Sequence, residues 1–208
     1  MLYYFLMEVE NMDYLMIVNK NCLFNEQVLD EMELCEYENF NEDSFFVEYE
    51  TLRHFEMLKT YLKMQGILID IDSAYRSLEK QENIFTEFMR KYGLDYAEQI
   101  VAMPGTSEHH TGLAIDITLK VNGEWLEENE DLLKQKEVFA IIHECLNRFG
   151  FILRYPEGKE DITGYPYEPW HIRYVGKTNA ELIGDRTLEE FLQMGDMEND
   201  IKRAKSKR

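Results

Sequence analysis

The sequence predicts an α+β fold, a central antiparallel sheet packed with helices, as one domain spanning residues 1–208. Three observations carry that prediction. Residues 113 to 119, Leu-Ala-Ile-Asp-Ile-Thr-Leu, alternate apolar with small or polar side chains, as a half-buried strand does. Leu52, Phe55, Leu58 and Leu62 instead recur at helical spacing. The segments follow no regular βαβ rhythm and include no glycine-rich phosphate loop, and the Asn122-Gly123 turn favours antiparallel neighbours.

At 208 residues and 45% hydrophobic content, the chain can bury a sizeable core. Its 41 acidic and 22 basic residues give a formal net charge of -19. Such a surface repels nucleic acid and anionic membranes, which argues against both as partners. Cys22, Cys35 and Cys145 are odd in number and lack metal-binding spacing, so they read as idle thiols in a reducing compartment. Met1 to Met7 are apolar, but no basic stretch precedes them and Glu8, Glu10 and Asp13 follow. They predict neither a signal peptide nor a membrane span, and a cytoplasmic location is expected.

Along the chain, Tyr14 to Val18 reads as a short strand and Asn19 to Asn25 as its loop. Residues 26 to 50 are strongly acidic and are expected to form a surface excursion. The helix through Leu52 and Leu62 stops at Gly66, with His54 on its solvated side. Ile67, Ile69 and Ile71 alternate with Leu68, Asp70 and Asp72 in a strand that ends at Ser73-Ala74-Tyr75-Arg76-Ser77. Ser77 can cap a helix running to about Tyr92 and closed by Gly93. Arg76, between strand end and helix start, is placed to point into a cleft.

Beyond the central strand, Trp125 to Asp131 reads as an acidic loop. A helix over about Leu132 to Phe149 is expected to bury Val138, Ile141, Ile142, Cys145 and Phe149, leaving His143 off that stripe. Phe151 to Tyr155 is a strand, Pro156-Glu157-Gly158 a turn, and Tyr167 to Val175 a further strand. Thr187-x-x-Glu190 is a capping box that opens a helical tail over about 187–208, with Leu188, Phe191 and Leu192 as its apolar face. Lys202 to Arg208 form a basic, solvated end.

The chemistry gathers in two places. The polar, glycine-bounded loop before residue 113 holds His109 and His110, and Asp116 lies on the strand face opposite Leu113, Ile115, Ile117 and Leu119. An aspartate there costs desolvation and strand propensity. Imidazole and carboxylate together suit Zn²⁺. The later strand carries His171, with Glu168 three residues earlier. A hydrolytic zinc site needs three protein ligands and a nearby carboxylate base, and these residues can supply them. Counting by twos from Asp116 gives Ala114, Gly112 and His110, so ideal strand parity favours His110 over His109.

Ser107-x-His109-x-x-Gly112-x-Ala114-x-Asp116, followed by Glu168-x-Trp170-His171, resembles the signature of the zinc D,D-peptidases. That family contains the vancomycin-resistance D-Ala-D-Ala dipeptidases and D,D-carboxypeptidases. Peptidoglycan L,D-endopeptidases and the Hedgehog signalling domain are its structural relatives. The likeness covers about residues 14–176, and the stretch from Phe151 to Gly176 is most similar to the bifunctional dipeptidase/carboxypeptidases. It implies a Hedgehog/D,D-peptidase-like fold and one Zn²⁺ per chain, held by His109, Asp116 and His171, with Glu168 as general base. It selects His109 over His110, which requires the backbone to leave strand geometry near Thr111-Gly112, where glycine permits it.

Tyr75-Arg76-Ser77 with Gln81 resembles the family's Gly-Tyr-Arg-Ser element, with Ala74 where the glycine usually stands. The resemblance implies that Arg76 stabilises the oxyanion of the cleaved peptide. It also places Ser107 and Gln81 on the substrate side, and Trp170 is expected to pack beneath the site. The implied reaction is hydrolysis of D-alanyl-D-alanine bonds, in the free dipeptide or in peptidoglycan precursors ending in it. A phage-type L,D-endopeptidase is the alternative, disfavoured by the acidic charge and the lack of a wall-binding module. A non-catalytic zinc module of the Hedgehog kind needs neither Glu168 nor Arg76.

Overall fold

The computed structural model describes residues 12–195. The apolar start, the basic end from Lys202 and the last part of the helical tail lie outside the described residues. The elements are β1 (Leu34–Glu38), β2 (Ser44–Glu48), α1 (Tyr49–Met64), β3 (Ile69–Ser73), α2 (Leu78–Tyr92), α3 (Leu94–Ile100), β4 (Ala114–Val121) and β5 (Glu124–Trp125). They continue with α4 (Asn129–Leu132), α5 (Lys136–Leu146), β6 (Phe151–Leu153), α6 (Glu160–Thr163), β7 (His171–Tyr174) and α7 (Lys177–Ile183). A further helical run covers residues 188 to 195.

The main sheet has the order β3-β4-β7-β6, with β5 added on β4, and every pairing is antiparallel. The fold is therefore α+β, as predicted. Alternation along β4 divides the sheet into two unlike faces. Ile115, Ile117 and Leu119 point into a core shared with Phe55, Leu58 and Leu62 of α1 and Phe139, Ile142 and Leu146 of α5. Each such buried side chain stabilises the fold by ~1.5–3 kcal/mol. The opposite face carries Asp116, whose register partner on β7 is His171, while Ala114 pairs with Arg173. Residues 113 to 119 thus divide between core and polar face as their alternation requires.

Local chemistry fixes the helix starts. Glu48 accepts hydrogen bonds from the backbone N–H groups of Glu50 and Thr51, capping α1. Ser77 Oγ accepts from Lys80 N at 3.1 Å, so the expected cap on α2 is present. Thr187 and Glu190 bond reciprocally, Glu190 N to Thr187 Oγ1 at 3.1 Å and Thr187 N to Glu190 Oε2 at 2.9 Å. Asn122 and Gly123 both have positive φ and turn β4 into β5. Among the described residues no helix is long and apolar enough to cross a membrane.

Several local expectations are corrected. Tyr14 to Val18 is not a strand. Arg173 Nη2 donates instead to the carbonyls of Tyr14 and Met16, at 3.2 and 2.8 Å, and ties this segment to the sheet by a side chain. Residues 26 to 50 contain the β1–β2 hairpin, whose turn uses Glu42 at φ 62° and a side-chain turn at Asn39. The helix expected from Leu132 is split, with α5 confined to Lys136–Leu146 and a 3-10 turn over Asn147–Phe149. Ile141 is 45% exposed, and Phe139 and Leu146 take the buried positions. The strand foreseen over 167–175 begins only at His171, because Pro166 and Pro169 lack the N–H groups a ladder needs.

Candidate metal centre and active-site cleft

The centre is assembled where β4 and β7 lie side by side and the 107–112 loop folds over them. Asp116 and His171 face each other across the ladder, with Asp116 Oδ1 3.0 Å from His171 Nδ1. The loop then delivers His109 through a 3-10 turn over Glu108–Thr111. Gly112 ends that turn at φ +66°, and a Cβ there would stand 3.1 Å from Leu34 Cδ2 and 3.3 Å from Glu48 Cβ. Glycine is thus needed for backbone shape and for the close approach of β2. Because β4 starts only at Ala114, strand parity does not reach the histidines, and His109 rather than His110 turns inward.

Each histidine's hydrogen bonds set which ring nitrogen is engaged. His109 Nδ1 donates to the Ala74 carbonyl at 2.8 Å, leaving the Nε2 lone pair aimed at Asp116 Oδ2, 3.1 Å away. His110 has both nitrogens occupied, Nδ1 donating to the Arg76 carbonyl at 2.7 Å and Nε2 accepting from Gly105 N at 3.1 Å. Ala74, standing where the family has glycine, adopts no positive φ, so its turn is unstrained.

One ligand atom each from His109, Asp116 and His171 lies within 4.8 Å of the others, a spacing that could hold a metal ion. His109 Nε2 and Asp116 Oδ2 are acceptors pointed at one another. Asp116 Oδ1 is buried and has no hydrogen-bond partner among the described residues. Both observations fit a cation held among these side chains.

Electrostatics divide the groups. Burial pushes His109 down to about 4, keeping the imidazole neutral as a ligand must be. Burial opposes the charge on Asp116, but His109 and His171 outweigh it and hold the carboxyl well below its ordinary range. Burial likewise opposes an imidazolium at His171, and Asp116 with Glu108 overcomes it, pushing the ring up to about 9.

Glu168 stands at the mouth, in the turn before β7, with Oε2 3.6 Å from His171 Nδ1. Burial pushes its carboxyl up to about 7 although 21% of the side chain remains exposed. A cation beside it would lower that value. Arg76 enters from the β3–α2 connection. Its Nη2 donates to Asp116 Oδ2 at 3.1 Å, Nη1 to Gln81 Oε1 at 3.2 Å and Nε to Ser73 Oγ at 3.1 Å. Gln81 is itself anchored by donating to the Ala102 carbonyl at 2.7 Å.

The fold brings Arg76, Ser107, His109, Asp116, Glu168 and His171 to one cleft of about 200 Å³, with Trp170 in its wall. Gln81 is fully buried behind Arg76, away from that lining, and so acts on the arginine rather than on the cleft. A larger hollow beside Lys20, Asp95 and Met103 contains none of the candidate ligands.

His54 and His143 stay outside the site, but neither is solvated. His54 Nδ1 donates to the Phe149 carbonyl at 3.0 Å, and His143 Nε2 to the Pro169 carbonyl at 2.9 Å. The residue that sequence reasoning missed is Glu108, fully buried between Arg154, Arg173 and His171. A glutamate between Ser107 and His109 reads as a solvated loop charge. Its arginine partners lie 46 and 65 residues away along the chain.

A two-histidine, one-aspartate cluster with a flanking carboxylate and arginine, set on an antiparallel sheet, is the class of site that metal-dependent hydrolases use. Residues 44–177 match the family described as VanY: D-alanyl-D-alanine carboxypeptidase, and the chain belongs to that family. It is 36% identical over 160 residues to the bifunctional D-Ala-D-Ala dipeptidase and D-Ala-D-Ala carboxypeptidase VanXYC of Enterococcus gallinarum, covering 73% of this chain and 80% of that one. Over 133 residues it is 44% identical to the putative carboxypeptidase YodJ of Bacillus subtilis (strain 168), covering 63% of this chain. The chain spans about half of that relative's length, 48%.

Two solved structures share the fold. One is a mutant of the vancomycin-resistance D,D-pentapeptidase VanY from a VanB-type cassette, in complex with Zn(II). Its TM-score is 0.70 at 32% identity, covering 86% of this chain and 98% of that one. The other is the LD-carboxypeptidase LdcB, with a TM-score of 0.64 at 38% identity, covering 71% and 69%.

Proposed function

We propose that the chain is a zinc-dependent D,D-carboxypeptidase that removes the terminal D-alanine from peptides ending in D-Ala-D-Ala, with the free dipeptide as a further substrate. The observation that carries this reading is that Glu168 and Arg76 line one cleft with the His109–Asp116–His171 cluster, Arg76 against Asp116 and Glu168 beside His171. A structural metal needs neither group. The VanY likeness supports zinc, and the VanXYC likeness supports D-alanyl-D-alanine as substrate.

His109 Nε2, an Asp116 carboxylate oxygen and His171 Nδ1 would hold one Zn²⁺ per chain. Zinc at such a centre supplies Lewis-acid polarisation of a carbonyl and lowers the pKa of water. Glu168 takes the proton of the attacking water and delivers it to the leaving amine. Arg76 directs a fixed positive charge at the oxygen on which negative charge develops. Ser73 and Gln81 hold that guanidinium in place, which spares reorganisation during the reaction. Ser107 lines the same cleft and is assigned to substrate binding. Ile84, Phe88, Ile100 and Val101 give the cleft an apolar wall suited to small methyl side chains. A cytoplasmic setting, as expected from the sequence, belongs to this reading.

The likeness to LdcB favours a second reading, hydrolysis of an L,D bond in peptidoglycan peptides. One experiment separates the two. The protein is incubated with D-Ala-D-Ala, with a pentapeptide ending in D-Ala-D-Ala, with an L,D-terminated tetrapeptide and with L,L counterparts, and chiral chromatography identifies the released amino acid. D-Alanine from the first two substrates is expected. Release from the L,D substrate alone supports the second reading, and release from the L,L peptides alone overturns both.

A further inference from the structure

Behind the candidate ligand cluster lies a buried set of charges. The side chains of Glu108, Arg154 and Arg173 are fully buried, and that of Glu189 is 8% exposed. Glu108 Oε1 accepts from Arg154 Nε at 2.6 Å and from Arg173 Nη1 at 2.9 Å. Arg154 turns its other two nitrogens to Glu189, at 2.9 and 2.7 Å. Two arginines and two glutamates balance, so the group is neutral without help from the histidine. The second oxygen, Glu108 Oε2, is left over. It faces His171 Nε2 at 3.6 Å, and neither atom has a hydrogen-bond partner among the described residues.

The sheet makes this arrangement. Arg154 N donates to the His171 carbonyl at the end of the β6–β7 ladder, which sets Arg154 on the polar face beside the ring. Arg173 follows His171 by two residues on the same face. Both arginines donate to Oε1, and Oε2 is left facing the imidazole.

We propose that Glu108 is a positioning residue for the metal centre. It holds His171 in the tautomer with the proton on Nε2, leaving the Nδ1 lone pair directed at Asp116 and the metal position. This inference rests on the zinc reading above. A ligating histidine that donates its other N–H to a carboxylate is oriented and made more basic, and loss of such a partner costs ~10–100-fold in metal affinity. Here the partner is itself clamped by two arginines, so its direction does not depend on solvent.

The test compares zinc affinity of the wild-type protein and the E108Q variant by chelator competition, with circular dichroism to confirm the fold. A loss of ~10–100-fold in E108Q is expected. Imidazole ¹⁵N–¹H spectra of the zinc-loaded wild type, assigned with H171N, provide a readout that charge neutralisation alone does not move. The His171 Nε2–H should resonate far downfield and exchange slowly, and in E108Q it should shift upfield.

Should E108Q fail to fold, the wild-type spectrum decides: an Nε2–H at the ordinary imidazole position, exchanging fast, overturns the proposal. Wild-type zinc binding with an unaffected, folded E108Q overturns this inference alone. A wild-type protein that binds no zinc overturns the zinc reading with it.

Discussion

Asp116 Oδ1 lies 3.0 Å from His171 Nδ1, and the two residues are direct partners in the β4–β7 register. The sheet itself therefore sets one edge of the candidate ligand triangle, and only His109 depends on a loop. A cross-strand pair cannot drift without breaking the ladder. His109 is rigid for a different reason, its Nδ1 bond to Ala74.

Metal content tests the ligand set. Protein prepared with zinc and dialysed should retain about one equivalent, as a three-ligand site holds. His109→Ala and His171→Ala should each lose it, measured by elemental analysis against protein concentration. His110→Ala should keep it, because both ring nitrogens of His110 are bonded away from the centre. Loss from His110→Ala with retention by His109→Ala would reverse the assignment.

Acid–base and electrostatic roles separate kinetically. Glu168→Ala should bind zinc and fold but lose at least ~100-fold in turnover, the lower range for positioned proton transfer. Near-normal turnover would remove Glu168 from the mechanism. Arg76→Ala should lower kcat more than it raises KM, since the charge it meets develops only in the transition state. An unchanged kcat with a raised KM would reduce Arg76 to a binding residue.

These residues are legible in sequence to different degrees. Asp116 stands out as a carboxylate within an alternating strand, and Ser77 and the Thr187–Glu190 pair as caps. Those signals are local, and they hold because local hydrogen bonds decide them. Parity fails at His110 because Gly112 leaves strand geometry at φ 66°. The β1–β2 hairpin is hidden by acidic composition and by a turn built on Asn39 and Glu42 rather than on glycine. Glu108 is invisible because only a folded sheet brings Arg154 and Arg173 to it.

The network behind the site should also be a stability element. Glu189→Ala leaves Arg154 with Glu108 alone in a buried setting, and breaking a buried pair from one side costs ~3–5 kcal/mol. A fall of that size in unfolding free energy, read from urea midpoints at constant m, is expected. A change within ~0.5 kcal/mol, typical of a surface substitution, would mean that the arginine finds other partners.

Acid should weaken the fold through histidines that are not ligands. His54 is lowered by burial and by Arg53 and Lys177, against Glu50 and the Phe149 carbonyl, which raise it. His143 is lowered by burial, against the Pro169 carbonyl. Both are thus protonated less readily in the folded state than in the unfolded chain, where histidine titrates near ~6.5. The stability linked to them is fully present above that value and is lost as pH falls below it toward the folded-state values. Carboxylates held low, such as Glu108, stabilise the fold above their unfolded values near ~4.3 and lose that contribution only at more acid pH. Groups at the candidate metal centre also titrate, equally in wild type and in a variant lacking His54 and His143, so comparing the two isolates that pair. The urea midpoint of zinc-loaded protein should decline as pH falls from about 7 to about 5, through the unfolded histidine range. His54→Gln with His143→Gln should make that decline shallower, since glutamine can donate to the same carbonyls without titrating. An unchanged slope in the double variant would assign acid sensitivity to the metal centre instead.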